Sequence, residues 1–190
     1  QRPVPLRHYV CALGSDGLHL VQDETGRFDE AQWQSAVGSL PKPKPAAPPK
    51  AELVAPPNAS DEPKLRRANE VLRVVQRLEP LGMLPAILFC FSRAECELLG
   101  RQLCRAVASS SEGGRGGDSE GTSGGLSLLR ADEVDQVEMV YEGAVGLLSS
   151  EDAALPQVGA LLPLLRAGVG VHHSGVLPVL RELVELLFAE

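Results

Sequence analysis

Two short polar segments carry the residues whose types and spacing could do chemistry: His172, His173, Ser174 and Gly175 near one end of the chain, and Phe91, Ser92 and Arg93 near its middle. Each follows a run of apolar residues and precedes a stretch with helical periodicity, so each is placed as a loop between a strand and a helix. Residues 169–171 are the strand candidate before the first loop, and from Val176 the apolar residues recur at helical spacing. In that setting Ser174 can cap the first-turn amides, Pro178 is tolerated because its missing N–H has no helical partner, and Gly175 lets another backbone approach. Unpaired amides at the positive end of a helix dipole bind anions, so phosphate is the natural ligand. The middle loop repeats the scheme: Ser92 with Glu95 reads as a capping box for a helix over residues 93–107, leaving Arg93 to reach a phosphate at the carboxyl end of a strand.

The adjacent histidines also have a metal reading and a packing reading. Neighbouring residues on a strand point to opposite faces, and no Cys or His stands at zinc spacing from the pair, so no metal site is predicted. The packing reading has one ring holding the turn through both nitrogens and the other facing the groove. It stays open beside the phosphate reading.

The elements that must position these loops follow from periodicity. Residues 6–13 and 18–22 are strand-like runs around Gly14-Ser-Asp-Gly17, and Asp23-Glu-Thr-Gly26 is a second turn signal, which predicts a hairpin. Residues 29–40 read as a helix with Trp33 and Val37 on one face, the tryptophan packing as an anchor. Residues 41–63 hold the prolines of an extended, semi-rigid linker; a PxxP peptide ligand is the alternative. Residues 64–81 form an amphipathic helix with Leu65, Ala68, Val71, Leu72, Val75 and Leu78 on one stripe, and Arg66, Arg67, Arg73 and Arg77 elsewhere. Residues 85–91 are the strongest strand, an unbroken apolar run suited to a buried parallel sheet. Residues 109–127 are rich in glycine and serine and predict a disordered insertion. A helix over 132–148 follows, then one beginning near Ser150, kinked at Pro163 and ending at Gly168. The order describes an α/β fold, half of a doubly wound parallel sheet with a small hairpin-containing segment before it.

Composition fits one ordinary core plus an arm, with 190 residues and 44% apolar content. The net charge of −7 excludes a globally basic nucleic-acid binder, so any affinity for RNA must be local. Cys11, Cys90, Cys96 and Cys104 form no CxxC pair and read as reduced core residues. No signal peptide and no apolar run of about eighteen residues is present, so no membrane partner is expected.

The segment GVGVHHSGVLPVLRELVELLF from Gly168 resembles a block in the exosome-cofactor DExH-box RNA helicases of superfamily two, and LPAILFCFSRAECE from Leu84 to Glu97 is similar to their motif IV. LPQV from Leu155, LPLLR from Leu162, RPVPLRHY from Arg2 and DGLHLVQDETGRF from Asp16 extend the resemblance. The last is nearest the nuclear exosome and TRAMP polyadenylation branch, with the superkiller branch as a close relative. Only residues 41–63 and 106–130 lack a clear counterpart. The resemblance implies a RecA-like fold: residues 1–40 as the inter-domain hairpin and helix, 41–63 as a linker, and 64–190 as the first part of the second RecA-like domain. It implies an ATP-dependent RNA helicase, in the nucleus (nucleolus or nucleoplasm) or, if of the superkiller type, in the cytoplasm, that feeds single-stranded RNA to the exosome for decay and rRNA processing, with the preceding RecA-like domain, exosome and polyadenylation-complex proteins as partners. Phe91, Ser92, Arg93, His172, His173, Ser174 and Gly175 are its implied RNA contacts. Two other readings stand beside it: a non-catalytic helicase-like scaffold, and a splicing or DNA-repair helicase of the same superfamily.

ATP and Mg²⁺ are implied for the longer protein, yet this chain has no GxxxxGK[ST] loop and no Asp-Glu-x-His or Asp-Glu-x-Asp, so no catalytic residue is assigned in it. With its sheet incomplete, the chain is expected to dissolve poorly alone. The purified chain should release no phosphate from ATP in a coupled assay; turnover that follows the protein through gel filtration would contradict this.

Overall fold

The computed structural model describes residues 4–12, 17–40, 62–112 and 126–189. They fall into two compact units, Gln1–Glu62 and Pro63–Glu190. The proline-rich residues 41–61 and the glycine-rich residues 113–125 lie outside the described residues.

In the first unit β1 (His8–Cys11) and β2 (Leu18–Gln22) pair antiparallel, Tyr9 opposite Leu20 and Cys11 opposite Leu18, with the register shifting between His8 and Tyr9. The turn that follows is built by Asp23, whose Oδ1 accepts from Thr25 N (2.9 Å), Thr25 Oγ1 (2.6 Å) and Arg27 N (3.0 Å). The Thr25 hydroxyl and the Arg27 amide hold its carboxyl below the ordinary aspartate range. Gly26 takes the left-handed conformation, φ +84°, that this turn requires. Asp29 caps α1 (Glu30–Gly38) by accepting from Gln32 N at 3.0 Å. The anchor of this helix is Ala36, 1% exposed, and not Trp33, which is 40% exposed and meets Phe28 with ring centroids 6.2 Å apart. Alanine lets the helix approach the hairpin more closely than an indole allows.

The second unit is helical: α2 (Glu62–Leu78), α3 (Arg93–Glu112), α4 (Ala131–Gly146), α5 (Ser150–Ala153), α6 (Pro156–Arg166) and α7 (Pro178–Ala189). Its main core joins Val137 and Tyr141 of α4, Val158, Leu161 and Leu165 of α6, and Leu180 and Leu183 of α7. Leu180 is fully buried, and Tyr141 donates its hydroxyl to the carbonyl of Val158 at 2.8 Å. Burial pushes the Tyr141 phenol up, so it stays a neutral donor. A second cluster collects Val75, Leu103, Leu126, Ala167 and Val169. Leu126 is 2% exposed and residues 109–112 form the end of α3, so both margins of the expected disordered insertion are ordered.

The stretch after Ser149 is two helices rather than one. The bend falls at Leu155, φ −65° and ψ 137°, because a residue before proline is driven out of the helical region; Pro163 sits within α6. Gly168 ends α6 at φ +72°, with Gly168 N donating to Leu165 O and Val169 N to Leu164 O, a Schellman cap.

The expected parallel sheet is not formed: the sheet among the described residues is the two-stranded β1–β2 ribbon. Residues 86–90 have no regular structure, and 86–89 are exposed, Ile87 by 62% and Phe89 by 83%. An apolar run signals a demand for burial, but a strand exists only with a neighbour to exchange hydrogen bonds. Residues 169–171 are also unpaired, yet Val169 and Val171 are buried, because helices close over them. A Cβ on Gly100 of α3 would lie 2.7 Å from Val171 Cγ2, and one on Gly170 would lie 2.7 Å from Val184 Cγ1 of α7. The four cysteines are free and half-buried rather than core residues; the Cys104 thiol reaches the Pro163 carbonyl at 3.4 Å.

Leu180→Ala should lower the urea-unfolding free energy by about 2–5 kcal/mol, the range for a cavity at a buried leucine. Tyr141→Phe should lower it by about 1 kcal/mol, leaving Val158 O without its donor. A Leu180→Ala midpoint equal to that of wild type would remove α7 from the core.

Candidate nucleic-acid interface

Arg93 opens α3, and the helix is anchored there by Cys96 N donating to Ser92 O at 2.9 Å. Glu95, expected to close a capping box on Ser92, places Oε1 3.0 Å from Arg67 Nε and so ties α3 to α2. Phe91, Ser92 and Arg93 are all exposed, Phe91 completely. Arg93 takes part in no ion pair among the described residues, while its helix neighbours Glu97 and Arg101 pair with each other at 3.3 Å. Cys90, just before the loop, has its thiol pushed up by burial first and by Cys96 and Glu95 next, which keeps it protonated and a poor nucleophile.

The second loop runs between residue 171 and α7, and its two histidines divide the roles. His173 is the packed ring, 13% exposed: Nδ1 accepts from Gly175 N at 3.1 Å, and the His173 carbonyl accepts from Val176 N at 3.0 Å. His172 faces outward, 45% exposed, with Nε2 2.7 Å from Glu185 Oε1 on α7. Only one of the two rings thus holds the turn, and its second nitrogen does so without a hydrogen bond. His173 Nε2 is closed to solvent and lies 3.4 Å from Glu97 Oε1, near enough for attraction but not aligned as a hydrogen bond.

Ser174 is not the cap of α7. The helix begins at Pro178, so the cap position belongs to Leu177, and its amide is satisfied by Gln157 Oε1 of α6 at 3.3 Å. With Gly175 N on the His173 ring and Val176 N on the His173 carbonyl, three amides expected to meet an anion are spent within the protein. What the loop offers outward is the His172 ring beside Glu185, the exposed Ser174 and the bare backbone of Gly175.

The two loops nevertheless meet. A Cβ on Gly175 would lie 3.5 Å from Arg93 Nη1 and 3.2 Å from His173 Nδ1, so the guanidinium and the imidazole both rest against this glycine. Arg93 is exposed where the loops meet, and Ser92 and Ser174, each next to one of the two meeting residues in sequence, are exposed too, donor types suited to phosphate oxygens. Among the described residues no group of three or more His, Cys, Asp or Glu is arranged to hold a metal ion, and no helix is long and apolar enough to cross a membrane. Glu97, Gln157 and Glu185 were not singled out from the sequence. For Glu97 a signal existed: it stands four residues after Arg93 and four before Arg101, on one face of α3.

No protein-family model matches the chain. Its whole length is nevertheless similar to part of the DExH-box RNA helicases. The chain is 34% identical over 202 residues to the DExH-box ATP-dependent RNA helicase DExH9 of Arabidopsis thaliana, covering 100% of the chain and 17% of that protein. It is 34% identical over 193 residues to the ATP-dependent RNA helicase mtr4 of Schizosaccharomyces pombe, covering 100% and 15%. It is 34% identical over 189 residues to the exosome RNA helicase MTR4 of Homo sapiens, covering 100% and 16%. The chain is thus related by sequence, end to end, to DExH-box RNA helicases of the MTR4 kind, and more distantly to superkiller complex protein 2. It spans about a sixth of the length of these relatives.

Gly100→Ala should cost about 1–3 kcal/mol by forcing Val171 off α3. Gly143→Ala in α4, with no atom within 4 Å of the new methyl, should be neutral or stabilising by up to about 1 kcal/mol. Equal melting temperatures for the two variants would contradict the close seating of residues 169–171.

Proposed function

We propose that this chain is the part of an ATP-dependent RNA helicase that forms one wall of its RNA channel, in a protein that feeds single-stranded RNA to the exosome in the nucleus. The observation that carries the reading is the meeting of Arg93 with Gly175, which brings together two loops far apart in sequence. Its relatives' names, DExH-box ATP-dependent RNA helicase and exosome RNA helicase, agree with that reading. In this reading residues 1–40 are the inter-domain segment, 41–63 a linker, and 64–190 the first part of a second RecA-like domain. Phe91, Ser92, Arg93, His172, His173, Ser174 and Gly175 line the channel; Arg93 and Ser174 touch the phosphate, while His173 shapes the turn from within.

The contacts go to sugar and phosphate, so binding is tolerant of sequence and weakened by salt. ATP and Mg²⁺ belong to the neighbouring parts of the longer protein.

The test is fluorescence anisotropy of labelled single-stranded oligo(A) RNA titrated with the chain over a range of salt. Arg93→Ala should flatten the plot of log K against log salt by about 0.7, the value for one single-strand phosphate contact. A slope and affinity unchanged by both Arg93→Ala and Ser174→Ala would sink the reading.

A further inference from the structure

We infer that Glu97 is a positioning residue: its carboxylate holds the His173 ring in the one orientation that keeps Ser174 and Gly175 beside Arg93. The inference rests on the RNA-channel reading and adds a residue to it.

Gly175 N donates to His173 Nδ1, so on a neutral ring the proton sits on Nε2. That nitrogen is sealed from solvent, has no hydrogen-bond partner, and faces Glu97 Oε1 at 3.4 Å. A buried N–H without an acceptor is costly, and Glu97 is the carboxylate in reach that lowers the cost. Turning the ring over would take Nδ1 from the Gly175 amide and Nε2 from the carboxylate together. The contact therefore selects the ring orientation, and the ring selects the turn, because it also occupies the space that any side chain at residue 175 would need.

Glu97 is itself steadied from the other side, its Oε2 accepting from Arg101 Nη1 at 3.3 Å. Arg93 and Glu97 stand one helical turn apart on α3. One helix face thus presents the phosphate contact and the group that orders the opposite loop. Glu97 needs no contact with RNA for this.

The experiment uses the chain and the same labelled oligo(A) RNA, with amide hydrogen exchange as a second readout. Glu97→Ala should weaken RNA binding about five-fold, the equivalent of about 1 kcal/mol, and speed exchange at Gly175 and Val176 without RNA. Glu97→Gln, which keeps an acceptor oxygen, should restore most of both. The double variant Glu97→Ala with His173→Ala should bind no worse than His173→Ala alone, since both break one chain of contacts. Unchanged exchange and affinity in Glu97→Ala, with Arg93→Ala still weakening RNA, would overturn the positioning role and leave the channel reading intact. So would a Glu97→Gln variant as impaired as Glu97→Ala. Arg93→Ala and Ser174→Ala variants that both bind as wild type would overturn the channel reading itself, and unchanged exchange in Glu97→Ala would then still overturn the positioning role.

Discussion

The meeting of the two loops depends on the close seating of residues 169–171 between α3 and α7. Two glycines make it possible: Gly100, with Val171 where its methyl would stand, and Gly170, with Val184 in the same relation. Steric contact of this kind is not graded; the helices either approach to backbone distance or separate by the width of a methyl group. Because they approach, the chain leaving residue 171 emerges beside the start of α3, and His173 arrives within reach of Glu97. Every later feature of the site, from the packed imidazole to the guanidinium on Gly175, inherits that geometry.

The core supplies the rigid frame for this seating, and the division of labour is visible in burial. Leu180, Val158, Tyr141 and Leu165 close the α4, α6 and α7 interface, while the candidate site residues other than His173 are exposed and lie outside that core. The Schellman cap at Gly168 turns the chain from α6 into the seated segment, so α6 sets where that segment begins and α7 where it ends. The Leu177 amide on Gln157 locks the second of those points.

Much of the fold could be read from periodicity. The apolar stripe of α2 is real, with Ala68 and Val75 buried, and the hairpin lies where the turn residues place it. Periodicity reports which residues seek burial but not what covers them, and that is where the reading failed: residues 85–91 were expected as a buried parallel strand and are exposed apart from the half-buried Cys90, whereas Val169 and Val171 are buried by helices instead of by strands. The seven candidate site residues do lie on two loops that meet, but their roles differ from those expected. Ser174 is no cap, because Pro178 sets the start of α7, and three amides meant for an anion are used inside the turn. Those details turn on hydrogen bonds between residues distant in sequence, such as Gln157 to Leu177, which no local pattern records.

The central claim is that loops 91–93 and 172–175 act as one surface, and backbone amide NMR of the chain titrated with single-stranded RNA tests it most directly. Shifts confined to both loops, rising together along one binding curve and collapsing together at high salt, are the predicted result. Shifts in one loop without the other, or centred on the β1–β2 hairpin, would contradict it.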